Sequence, residues 1–358
     1  MRKAVKAVIT IAVLLLMFTS CQQRYIIPMP PINSGNDSKP SVEIPETPEI
    51  PNDKVTTETT FDLKDKTFSD LKSWLENEAV KKAEVIKING NGATLNLAKE
   101  EKITLNNQDL ILENLTIKGS APENGTDDTG IQGIVIPSDQ SKEVNLYFKD
   151  VTIKDFGHGI SSGYSKDFYD TNLDSIKLTN IYIIDSTFEN CLKGIYINNL
   201  GTLQVFNSTF TKIGTESDEG DDSTTRSGSA FDINQFAKGG DIVIYDSTFT
   251  DCGNAGTSGA IKIKVRGGDQ DAATDVPKNQ TGSLESVLIQ DCKFNNNKNG
   301  DLVLGTGSAG ANPQFTYPET LAAKTKIINS TLKVVDKSGH GYEIKNNVLS
   351  ATETDTKY

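Results

Sequence analysis

Long apolar runs, pairable cysteines and histidines are what this chain has least of, and each shortage removes a class of protein. The longest apolar stretch, Ala7 to Phe18, covers twelve residues, short of the roughly twenty that a membrane-spanning helix needs. The four cysteines are Cys21, Cys191, Cys252 and Cys292; setting Cys21 aside leaves an odd, scattered set that does not form a disulfide framework. There is no CxxC pair, and the only histidines are His158 and His340, so no zinc spacing exists. Positive charge is also in short supply: 36 Lys and Arg against 48 Asp and Glu give a net charge of -12. An acidic surface argues against nucleic acid or anionic lipid as a partner and is compatible with binding a cation such as calcium.

The N-terminus has a different character. Arg2, Lys3 and Lys6 precede the apolar run, and Thr19-Ser20-Cys21 follows it, the layout of a signal peptide over residues 1–20. A small residue directly before Cys21 resembles the lipobox of bacterial lipoproteins, although Phe18 stands where that family usually has Leu. The resemblance implies a lipidated Cys21, membrane attachment through that lipid, and, with Gln22 rather than Asp next, an outer-membrane or cell-surface location. Loss of the three basic residues takes the formal charge from -12 to -15.

Residues 21–60 hold seven of the twelve prolines, at positions 28, 30, 31, 40, 45, 48 and 51, among many Ser, Thr, Glu and Asn. Such a segment buries too little apolar surface to offset its conformational entropy, and it reads as a disordered tether. At roughly 3 Å per residue in polyproline form it would reach about 100 Å.

Beyond it the chain repeats. Aligning Asn114, Asp150, Asp185, Asn207, Asp246, Asp291 and Asn329 brings the remainder into register, at intervals of 36, 35, 22, 39, 45 and 38 residues. Two positions before each stand Leu112, Phe148, Ile183, Val205, Ile244, Ile289 and Ile327, and four before stand Leu110, Leu146, Ile181, Leu203, Ile242, Val287 and Thr325. Three positions after come Ile117, Ile153, Phe188, Phe210, Phe249, Phe294 and Leu332. This is the period of strands with one buried face. The position two after is Thr in six of the seven repeats, Lys293 being the exception, and is expected to face solvent. The aligned Asn or Asp falls at a bend, where a residue must tolerate unusual backbone angles and bond locally.

A further strand per repeat follows a small residue: Gly133 to Ile136, Gly159 to Ser161, Gly194 to Ile197, Ala230 to Ile233, Ala260 to Ile263, Asp301 to Leu304 and Gly341 to Ile344. Three short strands per turn define a solenoid that buries its core by stacking neighbours. Ahead of it, Phe68, Leu71, Trp74, Leu75 and Ala79 share one helical face. With Thr67 and Ser69 as candidate N-caps, residues 61–83 read as a capping segment that covers the first edge. Cys191 and Cys252 share a column two turns apart, near 10 Å at about 4.8 Å per turn, too far for a disulfide. Buried, unreactive thiols are expected.

The pattern ending in Asp-Ser-Thr-Phe or Asn-Ser-Thr-Phe, and the opening Ile88-Asn89-Gly90-Asn91-Gly92-Ala93-Thr94-Leu95, resemble the right-handed parallel β-helix proteins of the pectin-lyase-like superfamily. The resemblance covers about residues 68 to 348. It implies an all-β right-handed parallel solenoid of seven to eight turns over residues 84–348; a disordered tail over 349–358 and a monomer are expected besides. Gly157-His158-Gly159-Ile160 is similar to a polygalacturonase motif, but the paired Asp221-Asp222 and Arg266 stand in the wrong order around it. His340 occupies the same turn position in the last repeat, where Lys193 or Ser258 stands elsewhere, so both histidines read as turn consensus.

In β-helix lyases and hydrolases the sheet after the small residue floors the substrate groove. Its outward column here is expected to be Val135, Ser161, Tyr196, Asp232, Lys262, Val303 and Glu343, with Asn198, Asn234 and Lys264 beside it. Loops from that sheet carry Tyr164, Phe168, Tyr169, Arg266, Phe315 and Tyr317. Rings beside amides and charges suit a sugar chain. Three functions follow: a module binding glycan or host matrix along the groove; a lyase or hydrolase of acidic glycans, with Lys262 or Lys264 as base and calcium held by Asp232, Asp269 or Asp301; or a surface spacer without ligand. The acidic loops Glu123–Asp128 and Glu216–Asp222 lack EF-hand spacing and read as solvated insertions. No catalytic signature is complete, which favours the binding module.

Overall fold

The structure, a computed structural model, describes residues 43–120, 131–137, 140–162, 177–214, 228–235, 238–254, 259–265, 283–306, 321–336 and 342–351. The chain divides into two units, Met1–Ile44 and Pro45–Tyr358. Cys21 lies outside the described residues of the first, and the second holds all that follows. Among the described residues no helix is long and apolar enough to cross a membrane.

The second unit is built mostly of parallel strands in two stacked sheets, a solenoid. Among the described residues one sheet has sixteen strands and the other eight. The strands preceding the aligned Asn or Asp pair with one another in the expected register: Leu110 faces Leu146, which faces Ile181, then Leu203, Ile242, Val287 and Thr325. The strands following it pair likewise, so that Ile117, Ile153, Phe188, Phe210, Phe249 and Phe294 stack in one inward column. Ring centroids along Phe188, Phe210, Phe249 and Phe294 lie 5.2, 4.9 and 5.0 Å apart, close to the strand spacing itself. On the other face of these strands Thr94, Thr116, Thr152, Thr187, Thr209 and Thr248 form an unbroken column.

Every aligned Asn or Asp has positive φ, between 45° and 55°, the left-handed conformation that Asn and Asp tolerate best after glycine. Their side chains bond from coil to coil: Asn207 donates to Asp185 at 2.6 Å and Asn329 to Asp291 at 2.9 Å. A second left-handed ladder stands five residues later, at Asp155, Asn190, Lys212, Asp251 and Asn296, and Asn190 donates to Asp155 at 2.7 Å. The residue after the first ladder forms a third. The Oγ of Ser186, Ser208 and Ser247 accepts the N–H of the preceding coil at 3.1 Å in each case and donates to its own strand. Cys292 takes the serine's place in this column, its Sγ donating to the Gln290 carbonyl at 3.2 Å.

Cys191 and Cys252 are buried free thiols, and Cys252 is in register with Ile213 of the coil before it. Burial pushes all three described thiols up to about 12, which keeps them protonated and unreactive.

The small residue before each strand of the eight-stranded sheet has a steric cause. A Cβ on Gly159 would lie 2.7 Å from the Gly194 carbonyl oxygen, and one on Gly194 would lie 2.6 Å from that of Ala230.

Both ends depart from the expected layout. The compact unit begins at Pro45, earlier than the tether boundary near Thr60. Asn52 accepts from Lys87 Nζ at 2.8 Å, Trp74 donates to the Glu58 carbonyl at 3.1 Å, and Thr60–Asp62 is a strand parallel to Val85–Asn89. The helix Phe68–Leu75 starts at Thr67, whose side chain and that of Asp70 form a reciprocal capping box, and Leu71 and Val80 join the core.

At the other end the eight-stranded sheet continues with Val334–Asp336, not with a strand from Gly341. Tyr342–Lys345 instead forms an antiparallel hairpin with Val348–Ala351, which places Glu343 opposite Ser350 and outside the groove column. The strand Val348–Ala351 also runs past residue 348, where the solenoid was expected to end.

Candidate functional site

Four consecutive parallel strands of the eight-stranded sheet position the candidate site: His158–Ser162, Lys193–Asn198, Phe231–Gln235 and Ile261–Val265. Their inward residues, Ile160, Ile195, Ile197, Phe231, Ile233, Ile261 and Ile263, belong to the core. The intervening residues therefore face outward. The expected column is continuous: Ser161 pairs with Tyr196, Tyr196 with Asp232, and Asp232 with Lys262. The column beside it is continuous too, with Asn198 paired to Asn234 and Asn234 to Lys264.

This outward face is not a wet one. Asp232 is 2% exposed, Lys262 4%, Asn234 1% and Lys264 9%, values rare for charged side chains that lack compensation. Among the earlier coils Gln132, Val135, Lys193 and Tyr196 are half-buried, while His158, Ser161 and Ser162 between them are buried. The face thus has a buried charged end and an aromatic end at which Tyr196 and Lys193 are half-buried.

In the charged end Lys264 Nζ lies 2.7 Å from Asp232 Oδ1. Burial alone would push the Asp232 carboxyl up. The charges of Lys264, Lys193 and Lys262 outweigh it and hold the carboxyl below its usual range. At the aromatic end His158 and Tyr196 stack, with ring centroids 5.4 Å apart and planes at 25°. The Lys193 ammonium sits 4.5 Å from the centre of the Tyr196 ring, within cation–π range. Burial, reinforced by Lys193 and opposed by Asp232, pushes His158 down to about 3, so the imidazole is neutral.

Buried polar atoms without a hydrogen-bond partner include His158 Nδ1, Ser161 Oγ and Asn198 Oδ1 here, and Thr179 Oγ1 in the sixteen-stranded sheet. The Asn198 amide orientation is set by its Nδ2, which donates to the Ser162 carbonyl at 3.5 Å.

Tyr196, Asp232, Lys262, Asn198, Asn234 and Lys264 therefore come together on one sheet face. Tyr164, Phe168, Tyr169, Arg266, Phe315 and Tyr317 lie outside the described residues, as do Asp269, Ser258, His340 and both acidic loops. For calcium, Asp232 is held by Lys264, and Asp301 accepts from Asn297 Nδ2 at 2.8 Å and from the Lys333 N–H at 2.5 Å. Among the described residues no three His, Cys, Asp or Glu side chains gather to hold a metal.

His158 and Lys193, which read in the sequence only as turn consensus, also stand at this face. They are register partners, each directly before the small residue that opens its strand. The signal was the polar residue at that position, Gln132, His158 and Lys193 in three successive coils.

No family model matches the chain, and neither a curated protein nor a solved structure matches it. The fold and site define its class: a parallel-strand solenoid with a partly enclosed polar face.

Proposed function

We propose that this protein is a lipoprotein of the cell envelope, anchored through Cys21 at the outer membrane or cell surface. Its solenoid is a right-handed parallel β-helix with three strands per turn, acting as a monomer that binds glycan along the outward face of the eight-stranded sheet. The observation that carries this reading is the half-exposed Tyr196, set in an unbroken run of polar outward residues from Ser161 to Lys262. An aromatic ring beside hydrogen-bonding and charged side chains is a combination that covers a sugar face and fixes its hydroxyls. Of the two candidate bases, Lys262 and Lys264, the second is held in an ion pair with Asp232, which argues against its use as a base. A base must be free to take a proton, and this ammonium is already committed to a carboxylate.

A glycan array probed with the full chain, followed by titration of the best ligand, tests the proposal. Saccharide binding that Tyr196→Ala reduces at least tenfold supports it. Absence of binding to any saccharide removes it and leaves the spacer role.

A further inference from the structure

Charged side chains on an outward sheet face ordinarily reach water. In the charged end of this face they do not: Asp232, Lys262 and Lys264 are almost fully buried, and so is the Asn234 amide among them. Lys193, Lys262 and Lys264 all act on the one Asp232 carboxylate. So costly an arrangement calls for a reason beyond packing.

The strands Phe231–Gln235 and Ile261–Val265 are parallel neighbours. Asn234 is in register with Lys264, so the two side chains stand side by side on the outward face, at about the 4.8 Å spacing of adjacent strands. Asp232 lies two residues before Asn234 and takes the same face. Its Oδ1 is 2.7 Å from Lys264 Nζ. An amine, a carboxamide and a carboxylate are thereby held together away from bulk water.

A lysine amine becomes a nucleophile once an adjacent base takes its proton, and groups fixed side by side react as though at very high concentration. Asp232, ionised and in contact with Nζ, is placed to be that base.

We propose that Lys264 Nζ and Asn234 Cγ join in an isopeptide bond, with Asp232 carrying the proton. The structure holds the three groups as they stand before the bond. Lys264 passes a proton to Asp232 Oδ1, and Nζ attacks Cγ; the Nζ–Cγ bond forms as the Cγ–Nδ2 bond breaks. The Asn234 nitrogen leaves as ammonium, taking two of the three lysine protons, one of them by way of Asp232. Asp232 is then a carboxylate again, still faced by Lys193 and Lys262. No oxidant, reductant or metal is consumed. The product is a covalent tie between two neighbouring coils, in a chain whose described cysteines are free thiols. It does not depend on glycan binding.

The test is peptide mapping of the full chain by mass spectrometry, since trypsin does not cut at an acylated lysine. The peptide holding Asn234 is expected joined to the one holding Lys264, lighter than the two separate peptides together by one ammonia. Asn234→Ala and Lys264→Arg should each abolish the joined species. Asp232→Ala, which keeps both bonded residues, should lower its yield about tenfold or more. The wild-type map decides the matter even where a variant does not fold. Separate, unmodified peptides from the wild type overturn the proposal. A join lighter by one water, made to Asp232, overturns Asn234 as the partner. Undiminished yield in Asp232→Ala overturns the role given to that carboxylate.

Discussion

The two sheets treat their polar residues in opposite ways. In the sixteen-stranded sheet every aligned coil has a left-handed Asn or Asp at the bend and a large apolar residue three positions on, and four of the seven add a serine hydroxyl bonded to the coil before. Asn207 and Asn329 bond to the aspartate of the preceding coil, and Ser186, Ser208, Ser247 and Ser330 accept a backbone N–H from it. On the outward face of the eight-stranded sheet the column instead runs Val, Ser, Tyr, Asp, Lys, Val, and polar atoms are left over. Repetition marks what holds the solenoid together; departure from it marks where a ligand would act.

That contrast breaks most visibly at Phe210, whose ring stacks on Phe188 and Phe249 and meets Phe231 edge-on. Phe210→Ala should cost about 3–5 kcal/mol in chemical denaturation, whereas Tyr196→Ala should leave stability nearly unchanged and abolish glycan binding. Equal losses of stability would mean that both faces are structural.

Lys264→Met leaves a buried carboxylate without its ion-pair partner and should cost about 3 kcal/mol at pH 7. Asp232→Leu combined with Lys264→Met should recover most of that loss. The folded carboxyl is held below its ordinary value of 3.8. Its contribution is therefore present above that pH and fades as pH falls through the folded value.

His158 acts in a higher window. Between its unfolded value of 6.5 and its folded value of about 3, the unfolded chain binds a proton that the folded one refuses. Stability should fall on acidification by about 1.4 kcal/mol per pH unit across that range. Urea midpoints at pH 7.5, 5.5 and 4.5 should drop more steeply for the wild type than for His158→Gln, and parallel curves would remove His158 from the account.

Smaller effects probe the ladders. Asn207→Ala forces a residue with a plain Cβ into φ of 48° and should cost about 1–2 kcal/mol; Asn207→Gly should cost less. Cys292→Ser restores the residue that Ser186, Ser208 and Ser247 supply in the same column and should change stability by no more than about 0.5 kcal/mol.

The stacking of the solenoid was legible in the sequence because its determinants are local and periodic. Asn and Asp at the bend, alternation around them and a small residue at the close coil contact each leave a mark at fixed spacing. The second left-handed ladder was harder to see, since Lys212 interrupts its Asn and Asp. The C-terminal hairpin was misread because Gly341-Tyr342 imitates the small residue that opens a groove strand, while the strand in that place, Val334–Asp336, has no such residue before it. In the candidate site the columns were legible and their burial was not. Whether an outward face meets solvent depends on residues distant in the chain, and periodicity reports only which face a side chain takes.

The most direct measurement is affinity for the best glycan of the array, determined for the wild type and for Tyr196→Ala alongside the urea midpoint of each. The account predicts that Tyr196→Ala loses at least tenfold in affinity while its midpoint stays within error. Undiminished binding by Tyr196→Ala, or no saccharide bound by the wild type, would contradict it.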